Sequence, residues 1–169
     1  MADILITGCS GGGKSSLLQE LAQRGYCTVP EPGRRLIAAG ITPWEDPRAF
    51  LWAAADMARA DLAEHLEDQE PVFYDRGLID ALAGLERLDA RPAVAELGSY
   101  RPYDAVFLVP PWPEIFCQDS MRRHDLGTAR VEYEHLSNLL PSLGYRTAEL
   151  PRISLAARAD FVLATLGLA

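Results

Sequence analysis

The sequence predicts an α/β fold, a parallel sheet whose strands alternate with helices. Five short runs of apolar residues recur along the chain, near-continuous in the way of strands buried on both faces. Stretches of helical period separate them, the alternation that joins parallel strands. The 169 residues, 49% apolar and 24% charged, have an ordinary globular composition and enough length for one core. A single domain over residues 1–169 is expected.

The first strand is expected at Ile4-Leu5-Ile6 and the first helix from Lys14 to Arg24, closed by Gly25 as a C-cap. The second strand covers Tyr26 to Val29. A long helix follows from Pro47 to Asp68, with Leu51, Ala55, Ala58, Leu62 and Leu66 as its apolar stripe. Strands at Pro71–Tyr74, Ala105–Val109 and Arg146–Leu150 complete the sheet. Pro110, Pro111 and Pro113 break the chain after the fourth strand. Helices over Thr128–Leu139 and Ser154–Leu166 end the pattern, and no segment reads as an interdomain linker.

Charge narrows the function. The net charge of −8 argues against duplex nucleic acid or an anionic membrane as the main partner. No apolar run approaches the roughly 20 residues that cross a bilayer. Met1-Ala2-Asp3 leads straight into a strand, so no secretory leader is expected and the cytoplasm is the default location. Cys9, Cys27 and Cys117 form no CxxC pair and suit free thiols better than a disulfide frame or a zinc site. His65, His124 and His135 show no ligand spacing among themselves, and none is expected to bind metal.

The strongest motif lies between the first strand and the first helix. Gly8-Cys9-Ser10-Gly11-Gly12-Gly13-Lys14-Ser15 fits G-x-x-x-x-G-K-[ST]. Glycines let successive backbone N–H groups face a phosphate chain, and the helix N-terminus adds partial positive charge. Gly8, Ser10, Gly11, Gly12, Gly13, Lys14, Ser15 and Ser16 are the expected phosphate-binding set. Lys14 is the only lysine in the chain and is suited to the β- and γ-phosphates. The Ser15 hydroxyl is suited to Mg²⁺. The motif implies a nucleoside triphosphate with Mg²⁺ and leaves ATP and GTP open.

Two acids end strands, at the sheet edge where such folds bind ligands. Asp75 closes Val72-Phe73-Tyr74 and is placed to hold Mg²⁺ or its water, with Arg76 beside it where a transferred phosphoryl gains charge. Glu31, flanked by Pro30 and Pro32, could accept the proton of a substrate hydroxyl. Trp52, Asp56 and Arg59 share one helix face, as either a cradle for a base or sugar or a surface ion pair beside a rim tryptophan. Arg122 and Arg123 follow the proline break and suit a lid over the phosphates, with Arg130 two turns beyond; the alternative is a solvated helix end.

These residues together resemble a known group. Gly8 to Ser15, Glu31-Pro32 with Arg34-Arg35, and Asp75-Arg76-Gly77 with Asp80 are the first matching pieces. Val106-Phe107-Leu108, Pro111-Trp112, Asp119 with Arg122, Leu143-Gly144-Tyr145, and Leu150-Pro151 with Arg158 continue them. Over nearly its whole length the chain resembles the small P-loop ATPases of the AAA-type kinase-like family. That group is similar to the ribosylnicotinamide kinase domain of bifunctional NAD-metabolism regulators and, more distantly, to deoxynucleoside and nucleoside monophosphate kinases. The resemblance implies a three-layer P-loop NTPase fold, with five parallel strands ordered 2-3-1-4-5 and helices on both faces. It implies ATP and Mg²⁺ as ligands, Glu31 or Asp75 as the acid near the acceptor, Arg122 with its neighbours as a lid, and Arg158 near the nucleotide. Nucleoside kinases of this kind carry Ser after the acid-Arg pair, where this chain has Gly77.

The reading that follows is a kinase moving the ATP γ-phosphate to a hydroxyl of a small nucleoside-like or cofactor-like metabolite, acting as a monomer or homodimer. The alternative is a regulatory ATPase switch. A switch needs a residue that orients water, and Gln19, Gln23, Gln69 and Gln118 all fall on helix-like stretches.

Overall fold

The computed structural model describes residues 2–89, 92–116 and 125–168. Five parallel strands, β1 (Asp3–Gly8), β2 (Cys27–Val29), β3 (Val72–Asp75), β4 (Ala105–Val109) and β5 (Thr147–Glu149), form one sheet in the order β2-β3-β1-β4-β5. The order and direction are those the family resemblance implies.

Alternation along the strands builds two cores. Ile4 and Ile6 of β1, Phe73 of β3, and Phe107 and Val109 of β4 face helices α1 (Lys14–Gln23) and α6 (Leu155–Leu166). Leu5, Val72, Tyr74, Val106 and Leu108 point the other way. They meet α2 (Pro32–Ala38), α3 (Pro47–Glu64), α4 (Leu78–Asp89) and α5 (Leu126–Ser142), with a 3₁₀ turn at Ala93–Leu97. Helices thus cover both faces of the sheet. Among the described residues no helix is long and apolar enough to cross a membrane.

Local chemistry sets most helix ends. Asp46, Asp125 and Ser154 accept the N–H of Ala49, Thr128 and Ala157 and so cap α3, α5 and α6. At the end of α1 the Gly25 N–H reaches Ala22 O and the Tyr26 N–H reaches Leu21 O, so Gly25 follows the cap residue Arg24 in a Schellman turn.

Some boundaries differ from the sequence reading. Helix α3 stops at Glu64, and its buried face is Phe50, Ala54, Ala55, Ala58, Asp61 and Leu62. Leu51 is half-buried, and Leu66 lies beyond the helix, exposed. Helix α5 runs past Leu139 through Pro141, which sits in the last turn, where only one ladder bond is lost. Helices α2 and α4 are additions. Pro32 at the first helical position of α2 supplies its φ in advance. In α4, Leu78, Leu82 and Leu85 recur at helical spacing and are buried.

Candidate functional site

The turn after β1 is held from beneath. The Cys9 N–H donates to Val109 O at 2.8 Å, and Cys9 O accepts from Lys14 Nζ at 2.8 Å. Gly13 is the N-cap of α1 at φ 82°, a left-handed conformation that a side chain would strain. The first helical bond runs from Leu17 N–H to Gly13 O. The amides of Lys14, Ser15 and Ser16 therefore have no partner within the helix, and these three residues line a cleft of about 600 Å³. That volume suits a nucleotide-sized ligand.

Ser10, Gly11, Gly13, Lys14, Ser15, Ser16, Glu31 and Arg158 line this cleft, so much of the sequence-derived set is brought together. Gly8 and Gly12 lie behind it, packed on Val109. Arg122 and Arg123 lie outside the described residues, as do Asp119, Cys117, Gln118 and His124. Arg130 is exposed on α5.

Asp75 stands at the floor of the loop, 2% exposed. Its Oδ2 accepts from Ser15 Oγ at 2.7 Å, while Oδ1 is buried without a partner. Burial raises its pKa, Glu31 adds to the rise, and Lys14 opposes it. A buried carboxylate oxygen left open beside a serine hydroxyl fits an oxygen-coordinated Mg²⁺. Lys14 is also buried. Burial, helped by the Arg76 charge, lowers its pKa to about 8, against the pull of Asp75.

Glu31 occupies the N-cap position of α2 without its side chain bonding there. Its carboxylate turns to the cleft wall, 3.4 Å from Arg34 Nε and 3.7 Å from Arg76 Nε.

Arg76 does not line the cleft. It has φ 56°, and its Nη1 and Nη2 bond Glu132 Oε1 and Oε2 at 2.7 and 3.1 Å. Nη1 also reaches Asp80 Oδ1 at 3.3 Å. The Thr7 hydroxyl donates to the same Asp80 oxygen. Burial pushes Asp80 up to about 6, even with Arg76 and Thr7 pulling it down. Burial alone would also raise Glu132, but the Arg76 guanidinium outweighs it and holds that carboxyl below its ordinary range.

Aromatic and apolar side chains share the cleft wall with the loop. The Arg158 guanidinium lies 5.6 Å from the centre of the Trp112 ring and donates to Gly12 O at 3.0 Å. Ile115, Ile153 and Leu155 also line the cleft. The Trp52, Asp56 and Arg59 face does not join the cleft. Asp56 and Arg59 form an exposed ion pair at 2.8 Å, Arg59 also approaches Glu96, and Trp52 packs on the core. The surface-pair alternative is the one observed.

A family model described as an AAA domain matches residues 3–158. The chain belongs to this family. No curated protein matches this AAA-family chain in sequence. Among solved structures it is similar to deoxyadenosine kinase from M. mycoides with bound dATP. The identity is 14%, the TM-score 0.69, and the match covers 99% of this chain and 100% of that one. The M. mycoides deoxyadenosine kinase with products dCMP and a flexible dCDP bound gives 12% identity, a TM-score of 0.68 and the same coverage. At these identities the likeness shows the fold, that of a P-loop kinase-like NTPase. Ribosylnicotinamide kinase is not singled out.

Gly77, the departure from the nucleoside-kinase pattern, has a steric reason in this AAA-family chain. A Cβ there would collide with Tyr103 Oη. That hydroxyl accepts from Leu78 N–H at 3.0 Å and so caps the start of α4. Gly77→Ala should therefore destabilise the fold by about 1–3 kcal/mol, the usual range for overpacking, read as a lower urea midpoint. Adding Tyr103→Phe removes the clashing oxygen and should recover part of the loss. Simple addition of two losses would show that the contact is not the cause.

Proposed function

We propose that this chain is a kinase that transfers the γ-phosphate of ATP to a hydroxyl of a small nucleoside-like or cofactor-like metabolite. One observation carries the reading: the Glu31 carboxylate shares a cleft with the phosphate loop while Asp75 stays below it, bonded to Ser15. The two acids are thus free for different tasks.

The loop amides and Lys14 hold the β- and γ-phosphates. Ser15 and Asp75 hold Mg²⁺, which supplies charge neutralisation on those phosphates. Trp112, with Arg158 stacked on it beside the loop, offers the base an aromatic wall. Arg34 and Arg76 flank the Glu31 carboxylate and aim it at the acceptor. The acceptor oxygen attacks the γ-phosphorus, its proton passes to Glu31, and the bond to the bridging oxygen breaks so that ADP leaves with that electron pair. Arg76 works from behind as a positioning residue, locked by Glu132 and Asp80. The lid role proposed for Arg122 and Arg123 belongs to the same reading, and residues 1–169 act as a single domain.

No glutamine lines the cleft among the described residues, which favours the kinase over a water-activating switch. The test is a screen of nucleosides and nucleoside-like cofactors with γ-labelled ATP. The expected result is label on one acceptor class with matching ADP release. Slow hydrolysis without any labelled acceptor would reject the kinase.

A pH dependence follows from Lys14. Free of ligand, the amine titrates near pH 8 because burial disfavours its charge. A triphosphate stabilises the ammonium, so binding above that pH takes up a proton. ATP affinity should hold steady with respect to Lys14 below about pH 8 and fall up to about tenfold per unit above it. Calorimetry in buffers of different ionisation enthalpy would register the uptake near pH 9. Binding without proton uptake there would contradict the assignment.

A further inference from the structure

Far from the phosphate loop, three segments bring together side chains of a different kind. Cys27 opens β2 and pairs with Val72, which pairs with Asp3 at the start of β1. His65 is the C-cap of α3, and Asp68 lies in the turn before β3. All three therefore lie at the amino ends of the strands, opposite the end that carries Gly8 and Asp75. We propose that Cys27, His65 and Asp68 bind a thiophilic divalent cation, zinc above all.

One ligand atom from each residue lies within 4.8 Å of the other two. A tetrahedral zinc with bonds of about 2.0–2.3 Å holds its ligand atoms about 3.3–3.7 Å apart, so side-chain rotation of about an ångström closes the set. His65 Nδ1 and Asp68 Oδ2 are already 2.7 Å apart, and the imidazole stands edge-on to Tyr74 with centroids 6.2 Å apart. All three residues are half-buried, close enough to solvent for a metal to enter.

The electrostatics agree. Asp68 and Glu64 place negative charge beside Cys27. Asp3 lies close enough to feel both His65 and Asp68. A cation would offset this crowd of carboxylates and take the thiolate as ligand, releasing the thiol proton to solvent. One thiolate, one imidazole and one carboxylate suit Zn²⁺ and not Mg²⁺, which prefers oxygen alone. Three protein ligands leave a fourth position for water. The metal would tie the start of β2 to the end of α3 and the approach to β3, and so stabilise the folded chain by linkage. Sequence spacing hides the set because its members come from residues 27, 65 and 68.

The test uses the full chain, stripped with a chelator, free of nucleotide and titrated with Co²⁺ alone. One equivalent should produce a thiolate-to-cobalt charge-transfer band that Zn²⁺ then bleaches. Cys27→Ser should abolish the band, with Cys27→Ala as a second variant should the serine form fold poorly. His65→Gln and Asp68→Asn should each weaken binding about tenfold or more. Cys9→Ser and Asp75→Asn should keep the band, since both positions belong to the phosphate-loop end. Stoichiometric zinc should raise the Tm of the parent and leave that of Cys27→Ser unchanged. Absence of a thiolate band in the parent, or a band that survives in Cys27→Ser, would overturn the proposal.

Discussion

Lys14→Ala should weaken Mg·ATP binding about 100-fold or more, the largest loss of nucleotide affinity expected from any single change to this chain. A charge-assisted hydrogen bond contributes roughly 1.5–3 kcal/mol, about 10–150-fold in affinity, and this ammonium is proposed to meet two phosphates at once. Without a ligand the amine is held ready by Cys9 O at 2.8 Å inside a buried pocket. No other lysine can substitute, because the chain has none. The same fact makes the site easy to label: an acylating ATP analogue should modify Lys14 alone apart from the N-terminal amine, with free ATP protecting it. Calorimetry on Lys14→Ala and Lys14→Met, each checked for native circular dichroism, measures the loss. Parental affinity in both variants would reject the phosphate-loop assignment.

Lys14 also shows which parts of such a site a sequence exposes. The loop is contiguous, so its glycines, lysine and serine are read directly, and each falls in or behind one cleft. Asp75 and Glu31 are legible for a related reason. Each ends an apolar run, and the carboxyl ends of parallel strands converge on one edge. Arg76 is different. Its partners Glu132 and Asp80 arrive from α5 and α4, and nothing in the local pattern says that the guanidinium turns to them. Helical period likewise reports which residues share a face and leaves open where that face points. Trp52, Asp56 and Arg59 do follow one another along α3, yet Asp56 and Arg59 face solvent while Trp52 packs on the core. On α3 the buried face includes Phe50 and Ala54, Leu51 packs at its margin, and Leu66 lies past the end of the helix at Glu64. Leu78, Leu82 and Leu85 carry the helical period of α4, a signal that begins directly at the Asp75-Arg76-Gly77 turn. The lid arginines, Arg122 and Arg123, fall outside the described residues and stay a proposal.

Glu31→Gln should leave Mg·ATP binding close to parental and lower phosphoryl transfer about 10²–10⁴-fold, the usual contribution of a positioned general base. The substitution keeps the shape of the side chain and removes only its basicity and charge. Glu31 touches neither Ser15 nor Lys14 by hydrogen bond, whereas Asp75 bonds Ser15 directly at 2.7 Å and carries the open buried oxygen. Asp75→Asn should therefore differ in kind. It should raise the Mg²⁺ concentration needed for half-maximal rate and depress transfer and background hydrolysis together. A switch has no acceptor proton to remove, so under that alternative Glu31→Gln would leave hydrolysis nearly untouched and no acceptor would be found. The measurement is transfer and hydrolysis of γ-labelled ATP by both variants across a Mg²⁺ series, using the acceptor identified by screening. A Glu31→Gln protein that transfers at the parental rate would remove Glu31 from the chemistry. If Asp75→Asn instead lost transfer with an unchanged Mg²⁺ requirement, the two carboxylates would have to exchange roles.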